Sequence, residues 1–518
     1  MTIKTIYLTA ILGLAIFSCQ SQDSITELSQ DEIFSQTNIF PQPPNQWMGE
    51  SNPYYTAGYV GDVMPYYENG KFHLFFLHDA KTKPAGEGFH DIHSFETTNF
   101  KDFTYQGRQI PYGTPSEPDF GVGTGSLVKV GNTYYYYYTG HNAIASFLSS
   151  NPRESVLLAT STDMKNWTKV KNFKITAPAG YYDYEFRDPH VFFNAEDGKY
   201  WMLVSAQTSA KKAVVLKFTT TNPASGNWAV ENPIYTTTSS ENYIMLECPD
   251  LFKMGNYWYL VFSENWSNSS GTHYRMASSP NGPWTTPAND RLDGSYLYAA
   301  KTVSDNANRY LVGWTARKVP ESNTGGKAWA GNLVAHQLVQ SSDGTLAVKP
   351  ISALSSVYGQ TASLSVDKIT ENASQNGNNF NLSSNSQVTF AKLQKANQIS
   401  FTLNASASGK SGLILAQDND GKNGFKISFE PSANRIASYV TNGGSEDFAN
   451  SYPLSGISGT NYNVTVFISN DICVVYVNDK LAFSNRVYDV VNKKWSIFGT
   501  ADSSFSNINV KKSLINVP

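Results

Sequence analysis

The chain is poor in charge, in cysteine and in long apolar runs. Of its 518 residues only 16% are charged, and the formal net charge is −3 at pH 7. Such a chain has no positive field for nucleic acid, so we expect no nucleic-acid partner. Its 3 cysteines, Cys19, Cys248 and Cys473, make no disulfide framework. The apolar stretch Ile6–Phe17 near the N-terminus is shorter than a membrane-spanning helix requires.

The first nineteen residues have the pattern of a bacterial lipoprotein signal. Lys4 supplies a positive start, 6–17 is an apolar core, and the residues Ala-Ile-Phe-Ser-Cys ending at Cys19 resemble a lipobox. We therefore expect a signal peptide over 1–19, a polar tether over 20–45, and attachment to the cell envelope, periplasmic or surface, only through a lipid on Cys19. A plain secretory signal with an incidental Cys19 is the alternative.

Aromatic residues are what the chain has in abundance, at 14%, with 31 Tyr and 10 Trp. Five stretches share a Gly or Asn turn followed by a strand in which aromatic residues alternate with Leu, Val or Met. They are ENGKFHLFFLHD (68–79), VGNTYYYYYTG (130–140), DGKYWMLVS (197–205), MGNYWYLVFS (254–263) and NANRYLVGWTA (306–316). Five units of similar length without helical periodicity predict a five-bladed β-propeller over 46–345. A large β-sandwich is the alternative.

The pattern changes after residue 345. Residues 346–360 read as a linker, and 361–518 contain alternating strands such as QISFTLNAS and ICVVYVNDKLAFS between Ser, Asn and Gly turns. This alternation predicts a β-sandwich domain. The expected fold class is therefore all-β, a five-bladed β-propeller followed by a C-terminal β-sandwich.

Acidic residues recur at one level of the predicted blades. Asp62, Asp188 and Glu247 stand eight, ten and eight residues before the hairpin glycines of blades one, three and four. Blade two has no acid there but offers Thr124 and Ser126 at about that level. Because innermost strands begin near the propeller axis, the three carboxylates are expected to converge.

Converging carboxylates repel one another, so at least one pKa is expected to rise. Their common uses are metal binding and glycoside hydrolysis. We expect no metal and no cofactor, since no His or Cys stands at the equivalent strand starts. Two carboxylates at the right separation support a retaining displacement. Arg187, beside Asp188, is expected to hold that aspartate ionised.

Two short blocks, FRDPHVF (186–192) and ECPDLF (247–252), closely resemble the most diagnostic motifs of glycoside hydrolase family 32, the invertase, inulinase and levanase family. DFGVGTGSLV (119–128) is similar to the second-blade block of that family, and LVGWTA (311–316) with KAWAGNLVAHQL (327–338) to its closing blade. The resemblance covers about 50–350. It implies hydrolysis of β-fructofuranosidic bonds in fructans or sucrose-like oligosaccharides, without a cofactor.

The resemblance also implies roles. Asp62 falls where the family has its nucleophile, and Glu247 where it has its acid/base. Asp188, with Arg187 beside it, would bind sugar hydroxyls and stabilise the transition state. Other side chains are candidates for lining the sugar site, or else for core packing; these are Thr124, Ser126, Trp314 and Trp329.

The first blade departs from the family pattern. The family reads Trp-Met-Asn-Asp-Pro-Asn-Gly, whereas Gly61 precedes Asp62 here. Glu50, near an upstream Trp-Met pair, is the alternative nucleophile, but it stands too far before the hairpin glycine. The missing Asn leaves the preferred sugar open, an unusual fructan or another furanoside. Two other functions are the alternatives: an arabinan- or xylan-type furanoside hydrolase of a related five-bladed family, and a non-catalytic glycan-binding lipoprotein.

Overall fold

The computed structural model describes residues 34–44, 57–82 and 86–514. Across these residues the chain is built of β-strands, apart from the one-turn helix α1 (Ala145–Leu148) and three short 3-10 turns. None of the helices in these ranges has the length and apolar character needed to cross a membrane. The predicted all-β class is confirmed. The predicted signal peptide and Cys19 lie outside the described residues.

Four antiparallel sheets form the five propeller blades, because blades one and five share one nine-stranded sheet. Blade one contains β1 (Phe34–Thr37), β2 (Gly58–Glu68), β3 (Lys71–Ala80), β4 (Asp91–Thr97) and β5 (Asp102–Ile110). Blade two contains β6 (Gly121–Val130), β7 (Thr133–His141), β8 (Glu154–Ser161) and β9 (Thr168–Lys169). Blade three contains β10 (Tyr181–Asn194), β11 (Lys199–Thr208), β12 (Ala213–Thr220), β13 (Ala229–Val230) and β14 (Tyr235–Thr236). Blade four contains β15 (Glu247–Met254), β16 (Tyr257–Glu264) and β17 (Gly271–Ala277). Blade five contains β18 (Leu297–Ser304), β19 (Arg309–Val319), β20 (Gly326–Gln340) and β21 (Leu346–Lys349).

The turns that suggested five repeats connect the first two long strands of each blade. Four of these turns contain a glycine with positive φ, for example Gly70 at 81° and Gly198 at 70°. An L side chain resists this backbone conformation, which is why glycine recurs there. The aromatic strands that follow are β3, β7, β11, β16 and β19, and most of their large side chains are buried between neighbouring blades.

Each innermost strand breaks its pairing near the propeller axis. The pairing of β2 with β3 shifts between Val60 and Val63, and that of β10 with β11 between Arg187 and His190. Equivalent shifts occur in β6, β15 and β18. A bulge of this kind bends the strand and turns a side chain that would otherwise face the neighbouring sheet. Five bulges at one level therefore aim five short segments toward a common centre.

An N-terminal strap, residues 34–44, connects the first and last blades. Its strand β1 pairs with β5 of blade one, and the backbone oxygen of Pro41 accepts a hydrogen bond from Leu333 N–H of β20 (3.0 Å). Ile39 and Phe40 are buried in the propeller core, and the burial of these apolar side chains stabilises the packing of the segment. This part of the predicted tether is thus a strand of blade one. Close to the strap, Val60 of β2 pairs with Gly331 of β20 and joins blades one and five into one sheet.

The C-terminal part is a sandwich of two antiparallel sheets. One sheet contains β22 (Tyr358–Ala362), β24 (Ala373–Asn376), β25 (Asn379–Leu382), β27 (Ala396–Asn404), β32 (Asn461–Ser469), β33 (Ile472–Val477), β34 (Leu481–Arg486) and β36 (Ser503–Ser513). The other contains β23 (Val366–Ile369), β26 (Ser386–Phe390), β28 (Ser411–Gln417), β29 (Gly424–Glu430), β30 (Arg435–Asn442), β31 (Ser445–Pro453) and β35 (Lys494–Gly499). Apolar side chains from both sheets form one buried core.

The segment predicted as a linker, 346–360, has regular structure. It contains β21, which pairs with β20 of blade five, then the 3-10 turn Ser352–Val357, then the start of β22. Val348 and Leu354 in this segment are buried in the propeller core. The connection between the two domains is therefore packed along its length.

Candidate active site

The bulged ends of β2, β10 and β15 bring Asp62, Asp188 and Glu247 together. The negative charges of Asp62 and Glu247 both act to raise the pKa of Asp188, which reflects their proximity. Each acid comes from a different blade, so the site exists only because the ring closes. The alternative nucleophile Glu50 lies outside the described residues.

Asp62 receives one hydrogen bond on each carboxylate oxygen. Thr124 Oγ1 donates to Oδ2 at 2.6 Å, and the indole Nε1–H of Trp314 donates to Oδ1 at 2.9 Å. Burial raises the pKa of Asp62 from its ordinary value, and the two hydrogen bonds oppose that rise because they favour the ionised form. The two donors come from blades two and five, so the carboxylate is fixed in orientation from both sides.

Gly61, the residue before Asp62, leaves room for an indole ring. A Cβ atom at position 61 would lie 2.3 Å from Cη2 of Trp329. The same indole stacks on His90, with ring centroids 4.3 Å apart, and packs edge-on against Trp314 at 5.8 Å. Trp329 therefore occupies the space that the asparagine of the family pattern would need, which accounts for the glycine at this position.

Asp188 is almost fully buried, at 3% exposure, on a left-handed backbone with φ of 61°. Its N–H donates to Thr139 Oγ1 (2.8 Å), and its Oδ2 accepts from the N–H of Cys248 (2.9 Å). Burial is the main cause that raises its pKa to about 7, and Arg187 only opposes the rise. Arg187 favours the ionised form of Asp188, as expected, but desolvation outweighs the attraction of the guanidinium.

Arg187 pairs instead with other carboxylates. Its Nη2 donates to Glu247 Oε1 at 2.8 Å, and its Nη1 contacts Glu154 at 3.4 Å as well as Glu185. These neighbours raise the pKa of Arg187 above its ordinary value, so the guanidinium stays charged. The second oxygen of Glu247 accepts a hydrogen bond from Tyr298 Oη at 2.5 Å. Glu247 is thereby oriented by blades three and five.

Comparison with known proteins shows the family to which this chain belongs. The model for the Glycosyl hydrolases family 32 N-terminal domain matches residues 42–350. The chain belongs to glycoside hydrolase family 32. A second model, for the GH32, BT1760-like, C-terminal domain, matches residues 344–510. The resemblance read from the sequence is confirmed, and this family 32 protein is a glycoside hydrolase that acts on β-fructofuranosides.

Several characterised proteins are similar to this family 32 member. The raffinose invertase of Escherichia coli is 28% identical over 349 residues, which cover 64% of this chain and 69% of the invertase. The levanbiose-producing levanase of Bacillus subtilis is 24% identical and covers 99% of this chain and 97% of its own. The structure of sucrose-6-phosphate hydrolase from Lactobacillus gasseri superimposes with a TM-score of 0.68 at 19% identity, over 89% of this chain and 92% of that one. These comparisons confirm the predicted propeller and sandwich.

The candidate sugar-lining residues of this family 32 enzyme divide into two groups. Thr124 and Trp314 contact Asp62 directly, and Trp329 packs beside them. Ser126 has a different role, because its Oγ accepts a hydrogen bond from the N–H of Val191 (2.7 Å) in the next blade. Ser126 thus makes a contact between blades two and three, which is the packing alternative given for it, and its place in the sugar site stays a prediction.

Three residues of the family 32 site were missed in the sequence. Tyr298 stands ten residues before Asn308, as Asp188 does before its hairpin glycine, so blade five carried the same signal. Cys248 follows Glu247 and is buried, with its Sγ 3.7 Å from Thr124 Oγ1, the donor to Asp62. Glu154 comes from a third strand, β8, and no spacing in the sequence connects it with Arg187.

Proposed function

We propose that the protein cleaves β-fructofuranosidic bonds of fructans with retention of configuration, through a covalent fructosyl-enzyme intermediate. The observation that supports this most directly is the difference between two carboxylates. Asp62 is held by two neutral donors that favour its ionised form, whereas Glu247 lies between a charged guanidinium and a phenol. Two carboxylates in such different environments are suited to act as nucleophile and as acid/base.

In the first step, an oxygen of Asp62 forms a bond to the anomeric carbon of the fructosyl unit. The bond from that carbon to the leaving oxygen breaks, and Glu247 gives its proton to the leaving oxygen. Asp188 accepts hydrogen bonds from sugar hydroxyls and stabilises the positive charge that develops on the ring. Thr124 and Trp314 keep Asp62 aligned, so little reorganisation is needed at the moment of attack.

In the second step, Glu247 takes a proton from water as the water oxygen bonds to the anomeric carbon. The bond between that carbon and Asp62 breaks, which restores both carboxyl groups to their starting states. Arg187 and Tyr298 hold Glu247 in place through both proton transfers. Two inversions at one carbon give net retention.

Fructan is the substrate class that we favour. The Bacillus subtilis relative that aligns along nearly the whole chain is named a levanbiose-producing levanase, and the Escherichia coli relative is named a raffinose invertase. The named substrates of both carry β-fructofuranosidic bonds. Sucrose-like oligosaccharides are therefore expected as smaller substrates of the same site.

The test is chromatography of the products formed from levan, inulin, sucrose and arabinan, with Asp62→Asn as the matched inactive variant. Fructose or fructo-oligosaccharides from the fructans, absent with the variant, support the proposal. Arabinose from arabinan without fructose from the fructans would establish the arabinan-type alternative. Levan binding in calorimetry without any product would establish a glycan-binding protein. Mass spectrometry should trap a fructosyl adduct in the wild type that Asp62→Asn lacks.

We also propose that Cys19 carries a lipid that holds the enzyme at the cell envelope, periplasmic or at the surface. The support is the signal pattern of residues 1–19. In detergent phase partition the full chain should enter the detergent phase, while Cys19→Ala should remain in the aqueous phase. Aqueous partition of both would leave a plain secretory signal as the explanation.

A further inference from the structure

Arg486 is a cation of the sandwich that is buried against blade five. It is the last residue of β34 and is 2% exposed. Its Nη2 donates to the backbone oxygen of Thr315 at 2.9 Å, and its Nε donates to that of Ala316 at 3.1 Å. Its Nη1 donates to Asn332 Oδ1 at 3.0 Å and to Asp471 Oδ2 at 2.7 Å. The planar fork of arginine fits several acceptors at fixed angles, which a lysine does not reproduce.

These acceptors stand directly after the two tryptophans of the site. Thr315 and Ala316 follow Trp314 in β19, and Asn332 comes three residues after Trp329 in β20. Regular pairing between the two strands is interrupted after Ala316, and Ala330 has φ of 63°. The hydrogen bonds of the guanidinium to Thr315 and Ala316 therefore fall at the point where the strand pairing is irregular.

The contact is tight on both sides. A Cβ atom at Gly331 would lie 2.8 Å from Nη2 of Arg486 and 1.9 Å from the backbone oxygen of Thr315. Gly331 is also the residue that pairs with Val60, two positions before Asp62. Asn332 extends the contact, because its Nδ2 donates to the backbone oxygen of Phe40 in the N-terminal strap (2.9 Å). The guanidinium thus lies where blade five, the strap and the sandwich meet.

We propose that Arg486 is a positioning residue through which the sandwich holds Trp314 and Trp329 against the nucleophile strand. The readouts that measure turnover rest on the proposed function of Asp62. A carboxylate that loses a fixed donor, or is displaced by less than 1 Å, loses much of its alignment with the anomeric carbon. The sandwich thereby acts on the site through blade five.

The matched control is Arg291, a second arginine at the same domain interface. It is 9% exposed, its Nη2 donates to the backbone oxygen of Ser451 in β31 (3.2 Å), and its own backbone oxygen accepts from Tyr452 Oη (2.6 Å). It contacts the sandwich from the segment between β17 and β18, away from Trp314 and Trp329 in sequence and in hydrogen bonding. Arg291→Lys therefore disturbs the interface without disturbing the tryptophans.

The experiment compares Arg486→Lys with Arg291→Lys on levan. For Arg486→Lys we expect kcat and kcat/KM to fall together by about tenfold while KM changes by less than about twofold, because transition-state alignment is lost. The acidic limb of kcat/KM should move to higher pH by about half a unit, since weakening the Trp314 bond favours protonated Asp62. Arg291→Lys should lower the thermal midpoint but leave the pH limb in place.

A second variant and a second readout cover the case in which Arg486→Lys folds poorly. Asp471→Asn alters only the sandwich side of the contact and should shift the pH limb in the same direction by less. In NMR spectra of tryptophan-labelled protein, the indole signal of Trp314, identified with Trp314→Phe, should follow the ionisation of Asp62. It should move in Arg486→Lys and stay unchanged in Arg291→Lys.

Equal pH limbs and equal indole signals in Arg486→Lys and the wild type would overturn the proposal, whatever the loss of thermal stability. A wild type without activity on any fructan would refute the proposed function instead. In that case the indole signal still decides whether Arg486 positions Trp314.

Discussion

The inner strands of the propeller and the strands of the sandwich use the same alternation of apolar and polar residues, yet they differ in where their pairing is irregular. All five inner strands break their pairing near the axis, and three of these shifts coincide with the acids of β2, β10 and β15. In the sandwich, β27 and β32 pair over nine consecutive residues without a shift, although β27 with β36 and β30 with β31 each contain one. The sandwich shifts are not gathered at one level, and its strands carry a large apolar core.

This difference shows in which part of the molecule unfavourable contributions to the folding free energy are tolerated. The left-handed backbone at Asp188 and Cys248 costs about 1 kcal/mol or more at each residue, and burial of carboxylates costs more. Such costs are tolerated where side chains must be aimed at a reacting atom. The sandwich contributes dense apolar packing and contacts to blade five.

The largest difference between the two regions is expected when Glu247 of the propeller is neutralised. Glu247→Gln keeps the shape of the side chain but has no proton to give, so we expect kcat on levan to fall by about a thousandfold or more. The loss should be smaller for a fructoside with an acidic leaving group, because that group needs less protonation. Steady-state kinetics with both substrates measures this, and near-normal turnover on levan would contradict the acid/base role.

A smaller effect is expected from one hydroxyl of blade two. Thr124→Val removes the donor to Asp62, which raises the pKa of that carboxyl and should cost about tenfold in kcat/KM. The acidic limb of the pH profile should move upward. Ser126→Ala is the control two residues away, since it removes only the bond from Val191 and should lower stability by about 1 kcal/mol with nearly normal kinetics. Similar pH profiles for the two variants would argue against the distinction.

The third effect concerns stability rather than rate. The pKa of Asp188 is about 7 in the folded protein and 3.8 as the reference for an unfolded chain. Its contribution to stability is therefore complete below pH 3.8 and is lost as the pH rises to 7, by at most about 4 kcal/mol. Asp188→Asn should melt a few degrees higher than the wild type at pH 8, with the difference vanishing near pH 4. Differential scanning calorimetry at the two pH values tests this.

The smallest effect on catalysis is expected in the sandwich core. Val475→Ala creates a cavity at a fully buried position and should cost about 2 kcal/mol of unfolding free energy, with kcat/KM at 25 °C unchanged. Val63→Ala is the equivalent change beside Asp62 and is also fully buried. It should lower kcat as well as stability. Equal kinetic losses in both variants would show that the two regions do not differ in the way described.

Much of this architecture was predictable because it repeats. The turn glycines and aromatic strands fixed the number of blades, and the three acids could be aligned by their distance from those turns. Contacts between blades were not predictable in the same way. Arg187 is adjacent to Asp188 in sequence but pairs with Glu247, sixty residues later, because the bulge turns neighbouring side chains apart. The spacing of residues along one strand does not show which side chain of another blade will pair with them.

The strap had no repeat to reveal it. FSQTNIF (34–40) is short and polar except at its ends, and only its contacts with β5 and β20 make it part of blade one. Ser126 and Thr124 stand in one strand with similar side chains, and the direction each faces after the bulge separates their roles. Tyr298 could have been predicted, because it stands ten residues before the turn residue of its blade, as Asp188 does in blade three.

The strap and the pairing of Val60 with Gly331 join parts of the chain that are synthesised far apart in time. Asp62 leaves the ribosome more than two hundred residues before Trp314, so for most of translation the nascent chain carries its nucleophile without the indole that orients it. Blade five completes the ring by pairing with blade one, and Arg486 of the sandwich can bind blade five only after it too has been synthesised. A chain that ends before that point has the three acids but lacks the contacts of Trp314 and Arg486 that hold them in the folded protein.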